Sequence, residues 1–117
     1  MKKRALRETA FFFEFKAAER AIHKIAKSKG WHDTPLDFPA FIANLHGEVS
    51  EAWEAYRKHN PDSEHLKGFS AIEEELADCI IRIMDVAHEN KLDIAHAILA
   101  KMKFNKTRPF RHGGKKA

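Results

Sequence analysis

The chain has 117 residues, of which 44% are hydrophobic and 32% charged, and its formal net charge is +4 at pH 7. This composition is typical of one soluble globular domain that is long enough to bury a core. Cys79 is the only cysteine, which excludes an intramolecular disulfide and a cysteine zinc site. The apolar stretch after the basic start is too short for a signal peptide, and no stretch is long enough to span a bilayer. We therefore expect a cytoplasmic protein with no membrane partner.

Hydrophobic spacing predicts four helices, at about residues 9–29, 41–59, 70–89 and 93–106. Ser70 and Glu73 match a capping box, and Asp93 is the expected N-cap of the last helix. The expected inward faces include Val49 and Tyr56 in the second helix, and Leu76 and Ile80 in the third. Short connections favour antiparallel neighbours. The predicted fold class is all-α, a four-helix bundle forming one domain over residues 1–117, with a basic irregular tail at residues 107–117.

Two pairs of acids interrupt the apolar pattern of the second and third helices: Glu48 with Glu51, and Glu75 with Asp78. A helix turns about 100° per residue, so two acids three residues apart lie on one face. Both pairs are offset in the same rotational sense from the apolar arc of their helix. Antiparallel packing would therefore place all four on one side of the helix pair. Clustered carboxylates repel one another unless cations neutralise them, and oxygen ligands favour Mg²⁺ or Mn²⁺.

Two other interpretations of these residues stay open. The acids could form a solvated flank, which surface helices normally have. A di-iron bundle would need Glu-x-x-His pairs on inward faces, and the nearest spacings, Asp85 with His88 and Asp93 with His96, fall largely on the polar sides of their helices. Four further histidines show no spaced cluster and favour surface or packing roles: His23, His32, His46 and His65.

Three segments carry a resemblance to a known family: Leu45–Glu51, Glu74–Asp78 and Lys101–Pro109. In this order they resemble the MazG-like family of all-α nucleoside triphosphate pyrophosphohydrolases, over roughly residues 31–115 of the chain. The resemblance implies a four-helix module that is a homodimer or a dimer of dimers and uses Mg²⁺, with Mn²⁺ as a substitute. Members cleave a nucleoside triphosphate between the α and β phosphorus atoms, giving the monophosphate and pyrophosphate.

The resemblance also implies roles for the acids. Carried over by position, Glu48, Glu51, Glu75 and Asp78 are the expected metal ligands. Glu51, which lies farther from the apolar centre than Glu48, is the expected general base for in-line attack of water. Glu48 is the second catalytic candidate. Gly47 departs from the family pattern, in which another acid often stands at this position, and we expect the glycine to permit a close approach.

Five further residues are candidates for substrate binding. Lys101 and Asn105 fall at the edge and inside of the inward arc of the fourth helix, where they would face phosphate or sugar at a cavity floor. Arg108 starts the basic tail, and its guanidinium suits phosphate oxygens. Trp31 could stack on a nucleobase, and Asn44 could touch base or ribose. The alternatives are an inter-helix hydrogen bond for Asn105, a solvated tail, and a tryptophan that closes the core.

A different class of function also stays open. The chain could be a non-catalytic helical module that binds partners or nucleic acid through its basic C-terminal tail. Nucleic-acid binding does not explain an acidic centre. We therefore favour a nucleoside triphosphate as the ligand and a second copy of the chain as the protein partner.

Overall fold

The computed structural model describes residues 2–116, without the side chains of residues 2–6 and of His112, a member of the predicted basic tail. This part of the chain is all α-helical and contains no strand, as the sequence predicts. The helices are α1 (Lys2–Ser28), α2 (Phe38–Arg57), α3 (Ala71–Glu89), α4 (Ile94–Thr107) and the short α5 (Arg111–Gly114). Over the described range, no helix combines the length and the apolar character needed to cross a membrane.

The predicted starts of α3 and α4 are confirmed. The Ser70 hydroxyl accepts a hydrogen bond from the backbone N–H of Glu73 at 3.2 Å, and the Glu73 carboxylate accepts one from the Ser70 backbone N–H at 2.9 Å. Asp93 accepts from the backbone N–H of His96 at 3.1 Å. These bonds satisfy N–H groups that the first turn of a helix leaves without partners.

Helix α2 begins three residues earlier than predicted. Asp37 caps it by accepting a hydrogen bond from the backbone N–H of Ala40 at 3.2 Å. Pro39 lies in the first turn, where a missing backbone N–H costs nothing, so this proline starts the helix rather than preceding it. The last predicted turn is absent, because the backbone turns out of the helix at His59 and Asn60, both with positive φ.

The two ends of the chain are more helical than predicted. Helix α1 starts at Lys2 rather than near Thr9, because the first residues are good helix formers and Thr9 does not interrupt them. The expected irregular tail contains the single helical turn of α5.

Helix α3 lies at the centre of the fold. It packs against α1 and α2, and α4 packs against α1. Helices α2 and α3 run antiparallel, since Glu48 contacts Arg82 while Asn60, twelve residues later, accepts a hydrogen bond from the backbone of Ile72. This confirms the packing direction on which the predicted convergence of acids depends.

The core of the single chain is small. Among the described residues, the buried apolar ones are Ala55, Cys79, Met84, Val86, Ala87 and Ala95. Val49 and Tyr56 of α2, and Leu76 and Ile80 of α3, are about half exposed or more, so their predicted burial is wrong for the single chain. Helix α2 packs only on α3 among the described helices, which leaves much of its apolar face without a partner.

Candidate metal and nucleotide site

The antiparallel pair of α2 and α3 brings three of the four predicted acids together. Carboxylate oxygens of Glu48, Glu51 and Glu75 all lie within 4.8 Å of one another. Asp78 lies one turn beyond Glu75 on α3 and is half-buried, but it is not part of this closest group. The spacing of three residues on each helix produces this convergence, as the helical geometry predicts.

Burial and mutual repulsion raise the pKa values of two carboxyls in this region. Burial, then the hydrogen bond to Glu51 and the charges of the neighbouring acids, raises the pKa of Glu75 to about 7. Burial and the charge of Glu48 also raise the pKa of Asp78, against a smaller lowering by Arg82. The Oε2 atom of Glu75 is buried and has no hydrogen-bond partner among the described residues. Such a group of acids is stabilised by a proton or by a cation.

Arg82 is a cationic side chain that contacts this group, and the sequence analysis did not single it out. Its Nε–H donates a hydrogen bond to Glu48 at 2.8 Å, and both side chains are partly buried. Arg82 stands four residues after Asp78 on α3, so the same helical spacing that places the acids also places the arginine. This spacing was the signal that would have identified it.

A cavity of about 460 Å³ begins at the acids and extends between α2, α3 and the loop at residues 29–37. Glu48, Asp78 and Arg82 line one part, and Trp31 and Phe41 line another. This volume is within the range of small-molecule sites, which combine apolar walls with a few charged groups. The remaining polar lining includes Asn44, His32 and Asp85.

Trp31 and Asn44 therefore lie where the sequence analysis places them, in the wall of a cavity next to the acids. Trp31 is 69% exposed, so it does not close the core. Phe41, His32 and Asp85 also line this cavity and were not predicted to do so.

The three candidates from the C-terminal part of the chain lie elsewhere. Lys101 and Arg108 stack over the ring of Phe104, at 4.7 Å and 5.6 Å from its centroid, and none of the three predicted residues lines the described cavity. Asn105 is exposed, so its expected place on a buried stripe is wrong for the single chain. The reason is that α4 packs mainly on α1.

Two smaller expectations are also resolved. A Cβ added at Gly47 would meet no atom within 4 Å, so no part of the single chain makes the expected close approach at this glycine. Asp93 and His96 bind each other at the exposed start of α4, whereas Asp85 contacts His32. The two Asp-x-x-His pairs thus make unrelated contacts, which gives no support to a di-iron bundle.

Comparison with family models, with curated proteins and with solved structures finds no match to this chain. The resemblance to MazG-like proteins consequently depends on the three motif segments alone.

Proposed function

We propose that the protein is a Mg²⁺-dependent nucleoside triphosphate pyrophosphohydrolase that cleaves the bond between the α and β phosphoryl groups. The observation that carries this proposal is the position of the acidic group. Three carboxylates lie within 4.8 Å of one another, and one of them, Glu48, also lines a cavity large enough for a nucleotide. A triphosphate is the common ligand that needs both a divalent cation and an adjoining pocket for a planar base.

The residues present fit a divalent cation. The buried oxygen of Glu75 without a partner and the raised pKa of this carboxyl both indicate a site with excess negative charge. Glu48, Glu51 and Glu75 would hold the ion, with Asp78 beside them. Their oxygen donors favour Mg²⁺ over zinc or copper. When bound, Mg²⁺ would neutralise phosphate oxygens and draw electron density from the α phosphorus.

Protein side chains would bind the substrate and accept a proton. Arg82 would bind a phosphate oxygen at the mouth of the acid group. Trp31 and Phe41 would hold the base, and Asn44 would contact base or ribose. Glu51 remains our candidate general base, because Glu48 is already paired with Arg82 whereas Glu51 is exposed to water.

The reaction balances with water as the only co-reactant. The water oxygen bonds to the α phosphorus in line with the leaving group, and Glu51 accepts its proton. The bond from the α phosphorus to the bridging oxygen breaks, and pyrophosphate leaves with both electrons.

A second copy of the chain is part of this proposal. The exposed apolar side chains of α2 and α3 form a surface next to the acids: Val49, Trp53, Tyr56, Leu76 and Ile80. Burying it against a partner copy would remove apolar area from water. The partner copy could also bring Lys101, Asn105 and Arg108 to the triphosphate, which a single chain does not do.

The test is to incubate the purified chain with Mg²⁺ and a panel of canonical and modified nucleotides, in water enriched in ¹⁸O. We expect pyrophosphate and a monophosphate that carries the label, because attack is at the α phosphorus. Label in pyrophosphate, or release of orthophosphate alone, would contradict the proposed bond cleavage. Glu54→Gln is the matched control, since Glu54 lies on α2 but pairs on the surface with Arg57 and Lys58.

A further inference from the structure

A second cluster of ionisable groups lies near the C-terminal end of α3, outside the acidic group described above and about four helical turns from Glu75 on the same face of the helix. His23 of α1, His32 of the following loop and Glu89 at the end of α3 each point one donor atom to a common centre, with these atoms within 4.8 Å of one another. His23 Nε2 is 3.0 Å from Glu89 Oε1, and His32 Nδ1 is 3.7 Å from the same oxygen. The side chains of His32 and His23 are 12% and 16% exposed, whereas Glu89 is an exposed residue whose side chain is 32% accessible.

The tautomer of His32 leaves two electron-rich atoms facing each other. Its Nε2 lies 2.8 Å and 2.9 Å from the two oxygens of Asp85, so this nitrogen carries the proton and donates it. In neutral imidazole the Nδ1 atom is then a bare lone pair, and it faces the Glu89 carboxylate at 3.7 Å. A cation between the two atoms, either a proton or a metal ion, is needed to make this contact favourable.

The carboxylates around this cluster also favour a bound cation. Glu19, one turn before His23 on α1, is fully buried, and its Oε2 finds no hydrogen-bond partner within the described range. Its Oε1 lies 2.9 Å from Lys16 and 3.8 Å from His88, whose ring is 4.5 Å from that of His23. Asp85 and Glu89 add two further carboxylates around these imidazoles. Two ammonium groups act on the three acids, that of Lys16 at Glu19 and that of Lys27 near Glu89. Buried negative charge of this kind is costly unless it is compensated.

We propose that His23, His32 and Glu89 form a binding site for a divalent transition-metal ion, with Zn²⁺ as the reference ion. A tetrahedral zinc site with bonds of about 2.0–2.1 Å separates its ligand atoms by roughly 3.3 Å, which lies between the two separations given above. Asp85 would orient His32 through the nitrogen opposite the metal, the usual arrangement of a carboxylate behind a ligating histidine. Two nitrogens and one oxygen select this class of ion over Mg²⁺.

The ion would connect the loop between α1 and α2 to the packed pair of α1 and α3. His32 belongs to the loop between α1 and α2, and Trp31 and His32 of this loop both line the cavity. A metal bound by His23, His32 and Glu89 would fix the loop to α1 and α3. The ion would therefore stabilise the fold and hold the cavity wall in place, whether or not the acidic site is catalytic.

The first experiment uses the full chain, stripped of metal with a chelator and titrated with Co²⁺ in excess Mg²⁺. We expect visible ligand-field absorption that saturates at one Co²⁺ per chain and is lost when Zn²⁺ displaces it. Zn²⁺ should also raise the melting temperature, and His23→Asn should abolish this rise. Mg²⁺ should produce no rise that depends on His23. No ligand-field band in the unmodified chain would overturn the proposal and leave a hydrogen-bonded network only.

The second experiment locates the ion. His23→Asn and Glu89→Gln should each weaken Co²⁺ binding at least tenfold, whereas His96→Asn, which changes an exposed His–Asp pair, and Glu51→Gln, which changes the acidic group, should not. Circular dichroism of metal-free samples identifies any variant that fails to fold. An anomalous-scattering peak in a Zn²⁺-soaked crystal of the unmodified chain provides an independent position. A peak elsewhere, or a ligand-field band that survives both substitutions, would refute the site.

Discussion

Helix α3 contributes to two clusters of ionisable groups, one facing α2 and one facing α1, and the two clusters differ in chemistry. The cluster facing α2 contains only carboxylates, and burial together with the neighbouring acids raises the pKa of Glu75 to about 7. The cluster facing α1 contains imidazoles as well, and there the hydrogen bond with His23 lowers the pKa of Glu89. A carboxylate beside other carboxylates holds its proton, whereas a carboxylate beside histidines gives it up.

This difference indicates two separate roles for cations in one small domain. Oxygen-only sites suit Mg²⁺, which keeps several waters and is completed by phosphate oxygens, so the acidic cluster is suited to exchange of ion and substrate. Mixed nitrogen and oxygen sites bind transition metals more tightly, so the histidine cluster is suited to a resident ion that fixes structure. Substitutions in each cluster can test whether the two cations have these separate roles.

Removing one acid of the α2-facing cluster should have the largest effect. Glu48→Gln or Glu51→Gln should lower kcat for pyrophosphate release by about 100-fold or more, because each change removes charge from the group that holds Mg²⁺ and the triphosphate. Steady-state rates at saturating Mg²⁺ measure this. Glu54→Gln, on the exposed face of the same helix, should keep the rate of the unmodified protein. Equal rates for all three variants would mean that the cluster is not the reaction site.

Arg82→Met should have the next largest effect. The arginine donates to Glu48 at 2.8 Å and lines the cavity, so its loss would remove the charge-assisted hydrogen bond that we propose it makes to the phosphates. We expect kcat/KM for the nucleotide to fall by about 10–100-fold, the equivalent of one bond to a charged group. Arg57→Met, which changes an exposed arginine of α2, is the control. A changed melting temperature with unchanged kcat/KM would assign Arg82 a structural role only.

The two clusters should respond independently to metals in thermal unfolding. His23→Asn should abolish the stabilisation by Zn²⁺ and keep that by Mg²⁺, while Glu51→Gln should do the reverse. In the unmodified chain, each metal at roughly 100 times its Kd should raise the melting temperature by about 5–10 °C. If one substitution removes both responses, the clusters form a single coupled site and the division between them is wrong.

The acidic cluster could be predicted from the sequence because its geometry is local. Glu48, Glu51 and Glu75 have helical spacing on consecutive helices, and a short connection determines that these helices run antiparallel. The histidine cluster could not, because His32 lies in a loop whose path no helical wheel describes, and its partners are distant in sequence from it. A wheel places residues on one helix but does not place a loop against two helices.

Prediction of the fold was limited in the same way, because local structure could be predicted from the sequence and long-range packing could not. Helix existence and the caps at Ser70 and Asp93 follow from local patterns and are confirmed. The burial of Val49 and Tyr56 was wrong for the single chain, because periodicity identifies an apolar face without stating which surface covers it. The placement of α4 on α1, which takes Lys101 and Asn105 away from the cavity, likewise depends on long-range packing.

Glu75→Gln should change the free energy of unfolding only slightly, which is the smallest of the expected effects. The sign of this change distinguishes the acidic cluster from an ordinary acidic surface. The pKa of Glu75 is about 7 in the folded chain and 4.5 as its ordinary value, so the folded state binds more protons between these values. The free energy of unfolding of the unmodified chain should therefore decrease as pH rises from about 4.5 to 7, and remain lower above it. The glutamine variant cannot ionise at this position, so its free energy of unfolding should not show this decrease. At pH 8 without divalent ions, we expect it to be more stable by about 1 kcal/mol after allowance for solvent screening, or roughly 4 °C.

Urea unfolding at pH 5 and pH 8, with a chelator present, measures this difference, and Glu54→Gln corrects for the loss of one surface charge. Addition of Mg²⁺ at pH 8 should reverse the order, because the unmodified chain gains stability from the ion and the glutamine variant gains less. A variant that is less stable than the unmodified chain at pH 8 without metal would show that Glu75 is already compensated by groups of the protein. The acidic cluster would then have no excess charge to attract a cation, and the contrast with the histidine cluster would no longer hold.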